Sequence, residues 1–331
     1  MPISPNTLNT WQAAGLNELS PHILADLKTT RSMAEIAAEA AGIGSPNTTE
    51  DAANSSFETI TNPETRQGLQ QAYSNAEQVY TGYAIIPNKA KVIETWNSDP
   101  KYQATWDAYE TSGQAPEIIL SAKNLAITKW QDRYEDIALS QPDNAPNQLN
   151  KKATDGIGLY FANNTGAAKI YDAYHPDQDN IEWEITIIPT RGGYKDSGVA
   201  SNVSHDLATK GPEEKPATQK ITNQNKPVNR DTADFDTQEQ AIQQATNQPI
   251  TANNFPSVGA MLTYYASHLI NQTEIPEAVY SWCNETNADG SLALYVGFYS
   301  DYRRVYVGWD VVSFSDDYLG VRASVRGDLE N

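Results

Sequence analysis

From Arg191 to about Gln240 the chain nearly runs out of large apolar side chains, and Gly, Pro, Lys, Asn, Thr and Asp take their place. Such a stretch cannot bury enough surface to offset the entropy of ordering it. Whatever folds must be built from what lies on either side. The segment, about 191–235, reads as a long exposed loop or linker, either between domains or inserted within one. An earlier run, "SQPDNAPNQLNKKATDG", is dominated by Pro, Asn, Asp and Gly and places a boundary near residue 150. Two domains are therefore expected, 1–150 and 151–331.

The first 150 residues read mainly as helices. Ser20 and Pro21 open one, with Ile23, Leu24, Leu27, Ile36, Ala37 and Ala40 as its apolar stripe and Gly42 or Gly44 as its end. A second runs to about Tyr80. "NKAKVIETWNSDPKYQATWDAYETSG" and "PEIILSAKNLAITKWQDRYEDIAL" are read as further helices, broken at Pro100 and Pro116. Strands are expected at 156–162, 167–174 and 181–189; in the last, Ile181, Trp183, Ile185 and Ile187 share a face by alternation. "TQEQAIQQATN" and "NNFPSVGAMLTYYASHLINQ" suit helices. Beyond them Leu292, Leu294, Val296 and Phe298 alternate with smaller or polar neighbours, as do Val305, Val307 and Trp309. The fold class is α+β, with helices first and an antiparallel sheet at the C-terminal end.

Charge narrows the partners. Asp+Glu 42 against Lys+Arg 23 gives a net charge of -19, which repels phosphate backbones and anionic lipid heads, so neither nucleic acid nor a membrane is an expected partner. No run approaches a membrane span, and "MPISPNTLNTWQAAG" lacks the basic and apolar regions of a signal peptide. A product made in the cytoplasm is expected, a class that includes a virion part released by lysis. Cys283 is the only cysteine, leaving no intrachain disulfide and no cysteine metal cage.

Enzyme patterns are not found. His22, His175, His205 and His268 are not at metal-ligand spacing. Asp177, Asp179 and Asn180 alternate as in a calcium loop, but the turn glycine and distal glutamate are missing, so a solvated acidic turn is preferred. There is no GxGxxG, Walker loop or GxSxG. Asp316 and Asp317 are adjacent and would point to opposite faces of a strand. No catalytic residue, metal ligand or cofactor is expected.

The tail does carry a pattern. Ala241 and Ile242, then Pro256-Ser257-Val258-Gly259, then Tyr280-Ser281-Trp282 with Asn284-Glu285-Thr286, and a closing Gly320-Val321-Arg322 with Ser324-Val325-Arg326 follow one another in order. Over roughly 235–330 this resembles the C-type-lectin fold of the formylglycine-generating-enzyme type, and more narrowly the variable proteins of diversity-generating retroelements found in phage tail adhesins and bacterial surface proteins. The single cysteine cannot supply the paired cysteines of the sulfatase-modifying enzymes of that fold. The tail also lacks the Glu-Pro-Asn and Trp-Asn-Asp calcium motifs of its sugar-binding members.

The resemblance implies that adenines are randomised, turning Asn codons into Tyr, Ser, Asp, Arg, Phe, Gly or His. Tyr299, Ser300, Asp301, Arg303, Arg304, Tyr306, Asp310, Ser313, Phe314, Ser315, Asp316 and Tyr318 fit that spectrum and form the expected ligand-binding set. Physical chemistry points the same way: Tyr gives large contact area at small entropic cost, while Arg, Asp and Ser supply polar specificity. Leu294, Val296, Phe298, Val305 and Val307 would hold the sheet beneath them. Tyr295 and Trp282 are read as core, and Arg322 and Arg326 as structural partners of buried carboxylates such as Glu285. The implied function is non-enzymatic binding of a host or other cell-surface protein or glycan by a virion tail protein. An oligomer such as a trimer is expected, with residues 1–150 serving assembly or attachment to tail or virion proteins. A structural virion protein and a bacterial variable surface protein of the same fold are the alternatives, with the cell surface or cytoplasm as alternative locations.

Overall fold

In a computed structural model the described residues are 56–331, apart from 153–156, 163–165, 191–232 (save 205, 222–223 and 226–227), 249, 276–279, 300, 315–318 and 330–331. They belong to one compact unit. The helix expected from Ser20 and most of the 191–235 segment lie outside the described residues.

Helices come first. After a 3-10 turn at Phe57–Thr59, α1 (Pro63–Tyr80) starts where Asn62 accepts from the amides of Glu64 and Thr65, with Pro63 preset for the first turn. Leu69, Ala72, Tyr73, Ala76, Val79 and Tyr80 form its buried face. α2 (Lys89–Ser98) and α3 (Lys101–Thr111) are separated at Pro100 as the sequence predicts. The next segment departs from expectation: Pro116–Ala122 is strand β1, and helix α4 begins only at Ile127 and runs to Ser140. The apolar run Ile118-Ile119-Leu120 is too short for its period to separate strand from buried helix, and pairing decides it. β1 lies antiparallel to β3 (Trp183–Pro189), with Leu120 opposite Ile185.

Between them lie β2 (Leu159–Phe161) and α5 (Ala168–Tyr174). The latter was expected as a strand. Its buried residues Ile170 and Tyr171 stand three and four positions after buried Ala167, which immediately precedes it, a helical spacing. A short ladder, β4 (Thr222–Asn223) with β5 (Lys226–Pro227), precedes α6 (Ala233–Thr246). His205, within the segment expected as an exposed loop, is buried against Phe255 and Trp282.

Helix α7 (Val258–Asn271) lies at the heart of this unit. Ser257 caps it by accepting from the Ala260 amide. Eleven of its residues are buried, and it packs on β1 of one sheet and on the strands of the other. Gly259 lets it approach: a Cβ there would sit 2.2 Å from the carbonyl oxygen of Ala122. The tail then forms β6 (Tyr280–Thr286), β7 (Leu292–Tyr299), β8 (Arg304–Val311), β9 (Leu319–Gly320) and β10 (Val325–Leu329). One sheet is ordered β1-β3-β10, the other β2-β8-β7-β6-β9. The described architecture is α+β, with most helices before a C-terminal, largely antiparallel sheet.

The boundary expected near 150 falls inside this unit. β1 pairs with β3, the Tyr109 hydroxyl donates to the Ala323 carbonyl (2.6 Å), and the Tyr134 hydroxyl donates to that of Leu262 (2.7 Å). Both sides of residue 150 share one core. Among the described residues no helix is long and apolar enough to cross a membrane.

Candidate functional site

Strand alternation divides the five-stranded sheet into two unlike faces. Leu294, Val296 and Phe298 of β7 sit opposite Trp309, Val307 and Val305 of β8. Apart from half-buried Trp309, they are buried, on the side that meets α7. This is the supporting role expected of them. The other face carries Tyr295, Gly297 and Tyr299 of β7 opposite Gly308, Tyr306 and Arg304 of β8. β2 adds Tyr160 beside Tyr306, and β6 adds Tyr280 and Trp282.

The result is a connected layer of tyrosine rings. Tyr280 lies at its middle, its centroid 5.4 Å from Tyr295, 6.3 Å from Tyr299 and 5.9 Å from Tyr306. Tyr306 also meets Tyr295 at 6.1 Å and Tyr160 at 5.8 Å. At the β7–β8 turn Tyr302 stacks on Tyr299 at 4.7 Å. The Arg304 guanidinium is held between two rings, 4.3 Å from the centroid of Tyr160 and 5.2 Å from that of Tyr302, both within cation–π range. Burial first, then neighbouring phenols, pushes the ionisation of Tyr280 and Tyr295 upward. Burial also raises that of Tyr306. All three are neutral phenols near neutrality, able to donate or accept hydrogen bonds.

The predicted set is only partly gathered here. Tyr299, Arg304 and Tyr306 lie on the tyrosine face. Asp301 and Arg303 occupy the adjoining turn, where Arg303 has a positive φ of 50° and donates to Gln148 Oε1 at 3.1 Å. Asp310 shares the face at the far end of β8, opposite Ala293. Ser313 and Phe314 are exposed beyond that end, roughly 20 Å or more from the turn at ~3.3 Å per strand residue. Ser300, Ser315, Asp316 and Tyr318 lie outside the described residues. Trp282 is core as expected, but Tyr295 is half-buried and belongs to the face. The sequence reading missed Tyr160, Tyr280 and Tyr302. For Tyr280 the available signal was Gly297, which interrupts a β-rich strand at the point where its ring crosses.

A second polar region lies at the start of α7, inside the protein. The Glu285 carboxylate accepts from the Val258 amide (2.8 and 3.0 Å) and faces His175 Nε2 at 3.3 Å. Glu184 accepts from the hydroxyls of Ser257 and Ser121 and pairs with Arg326 Nη1 at 3.3 Å. With its amide turned so that each atom meets a complementary partner, Asn284 donates to Glu285 Oε2 (3.0 Å) and accepts from Arg326 Nη2 (3.1 Å), joining the two halves. Burial pushes the Glu184 carboxyl upward, and Arg326 partly offsets it. The expected arginine partnership is thus redistributed. Arg326 takes Glu184, and Glu285 serves the helix terminus instead. Arg322 donates to Ser281 Oγ and to the Pro189 carbonyl, each at 2.9 Å, and burial pushes its guanidinium down to about 9. This region is closed and reads as structural.

The acidic turn at 175–180 is self-satisfied: Asp177 Oδ1 accepts from the amides of Asp179 (3.3 Å) and Asn180 (3.2 Å). Among the described residues no group of three His, Cys, Asp or Glu is placed to hold a metal ion. Compared with protein-family models, curated proteins and solved structures, the chain matches none.

Proposed function

We propose that this protein is a non-enzymatic receptor-binding protein whose ligand, a protein or glycan on a cell surface, is gripped by the tyrosine face and the β7–β8 turn. The observation that carries the reading is the convergence of Tyr160, Tyr280, Tyr295, Tyr299, Tyr302 and Tyr306 on one side of one sheet. Fixed aromatic side chains supply contact area with little conformational entropy left to lose, and their hydroxyls keep an exposed surface soluble. Tyr302, Val311 and Phe314 are among the most exposed large apolar side chains described, and all three lie along this hairpin or just after it. The resemblance of the tail to the variable proteins of diversity-generating retroelements supports the same reading and adds a role in host attachment by a virion tail.

Two measurements test it. DNA flanking the gene should hold a non-coding near-copy of the codons for about 280–327, beside a reverse transcriptase, differing from the gene almost only at adenines. Fluorescently labelled full-length protein should mark some members of a panel of bacterial strains, and Tyr299→Ala with Tyr306→Ala should abolish that labelling. Labelling that survives the double substitution would move the binding surface elsewhere.

A further inference from the structure

Resting on that reading, we infer that Gly297 and Gly308 determine the shape of the binding face by acting as seats for two tyrosine rings. Each glycine sits where a side chain would be expected to rise from the tyrosine side of an interior strand. A Cβ built on Gly297 would lie 2.3 Å from Cδ1 of Tyr280, and one built on Gly308 would lie 2.3 Å from Cζ of Tyr295. Both distances are far inside van der Waals contact, so any larger residue lifts the ring from its place. Neither glycine has a positive φ that would explain its presence by backbone geometry. Without a steric reason, glycine in the middle of a strand is the poorer choice, because it loses more backbone entropy than alanine and packs nothing.

The two seats give the face a floor. Tyr280 lies across Gly297 of the next strand, and Tyr295 lies across Gly308 of the strand beyond it. Seated in this way, Tyr280 meets Tyr295 and Tyr306 edge to face while Tyr295 stacks on Tyr306, which brings the layer into contact across β6, β7 and β8. Tyr299, Asp301, Tyr302 and Arg303 then form a rim at one end. The floor is set before any ligand arrives, and the rim is where side chains can be exchanged without disturbing it. Gly297 and Gly308 are positioning residues: they touch no ligand and act through the tyrosines.

Double-mutant cycles on the full chain test this without knowledge of the ligand. Gly308→Ala should lower the melting temperature by several degrees, change the near-ultraviolet circular dichroism of tyrosine, and bring one phenol titration down toward its ordinary range as the Tyr295 ring loses its burial. In a Tyr295→Ala background the same Gly308→Ala should raise stability slightly, because alanine suits a strand better than glycine. Gly297→Ala should behave alike, with Tyr280→Ala as the rescuing background. A variant that folds only when its tyrosine is also removed supports the seat. Equal losses with and without the tyrosine would overturn it. The binding reading fails separately, if wild-type protein marks no cell in the panel while the cycles still show coupling.

Discussion

The two polar regions of this molecule solve opposite problems. At the start of α7, Glu184, Glu285, Arg326 and His175 are charged or chargeable groups taken out of water, and each is answered by a fixed partner. On the tyrosine face the groups are neutral phenols, half in water, answered chiefly by one another. A buried charge left without its partner costs several kcal/mol, so the first region permits almost no change. A phenol that loses a neighbour can turn to solvent, so the second can be altered at small cost. Both regions are polar, but only one is free to take on new side chains.

The largest test of that contrast removes the support of the interior. A chain begun at residue 150 lacks β1 and helices α1–α4, exposing one edge of β3 and one side of α7; it should show no cooperative unfolding transition by urea titration, while the chain begun at 56 keeps one. Next, Arg326→Met leaves Glu184 without its cation and should destabilise by about 3–5 kcal/mol at neutral pH. That loss should depend on pH. The folded-state value of Glu184 is raised above its ordinary one, so its favourable contribution is full below the ordinary glutamate range and is lost as pH rises through the raised value. Without Arg326 the loss should extend to higher pH, and Glu184→Gln should remove that slope.

On the tyrosine face the order of effects reverses. Tyr299→Ala should change stability by no more than about 1 kcal/mol. Its cell binding should weaken at least ~30-fold, the scale of an interfacial aromatic anchor. An equal loss of stability and binding would erase the distinction between the regions. The smallest effect is expected for Arg303→Ala, which gives up an exposed hydrogen bond to Gln148. Its stability should stay within about 0.5 kcal/mol, and the change should appear in the salt dependence of the association rate.

Local pattern carried much of the fold. The break at Pro100 and the alternation of β7 and β8 act over a few residues, and each is where the sequence placed it. What escaped depended on distant partners. Ile118–Leu120 became a strand because β3 offered an edge, and 168–174 became a helix because its short run of apolar residues suits either period. The site divides in the same way. Tyr299, Arg304 and Tyr306 were legible from their own strands, whereas Tyr160 reaches the face only through a parallel pairing across nearly 150 residues of chain.

The edges of the five-stranded sheet are short: three residues in β2 on one side and two in β9 on the other. The long strands β7 and β8 each lie between two neighbours, and β2 pairs with Val305–Val307 of β8. Sheets that end in long bare edges recruit copies of themselves, and short edges remove that template. Short edges on both sides of this sheet leave little template for fibre-like self-association, whatever side chains its outer face displays.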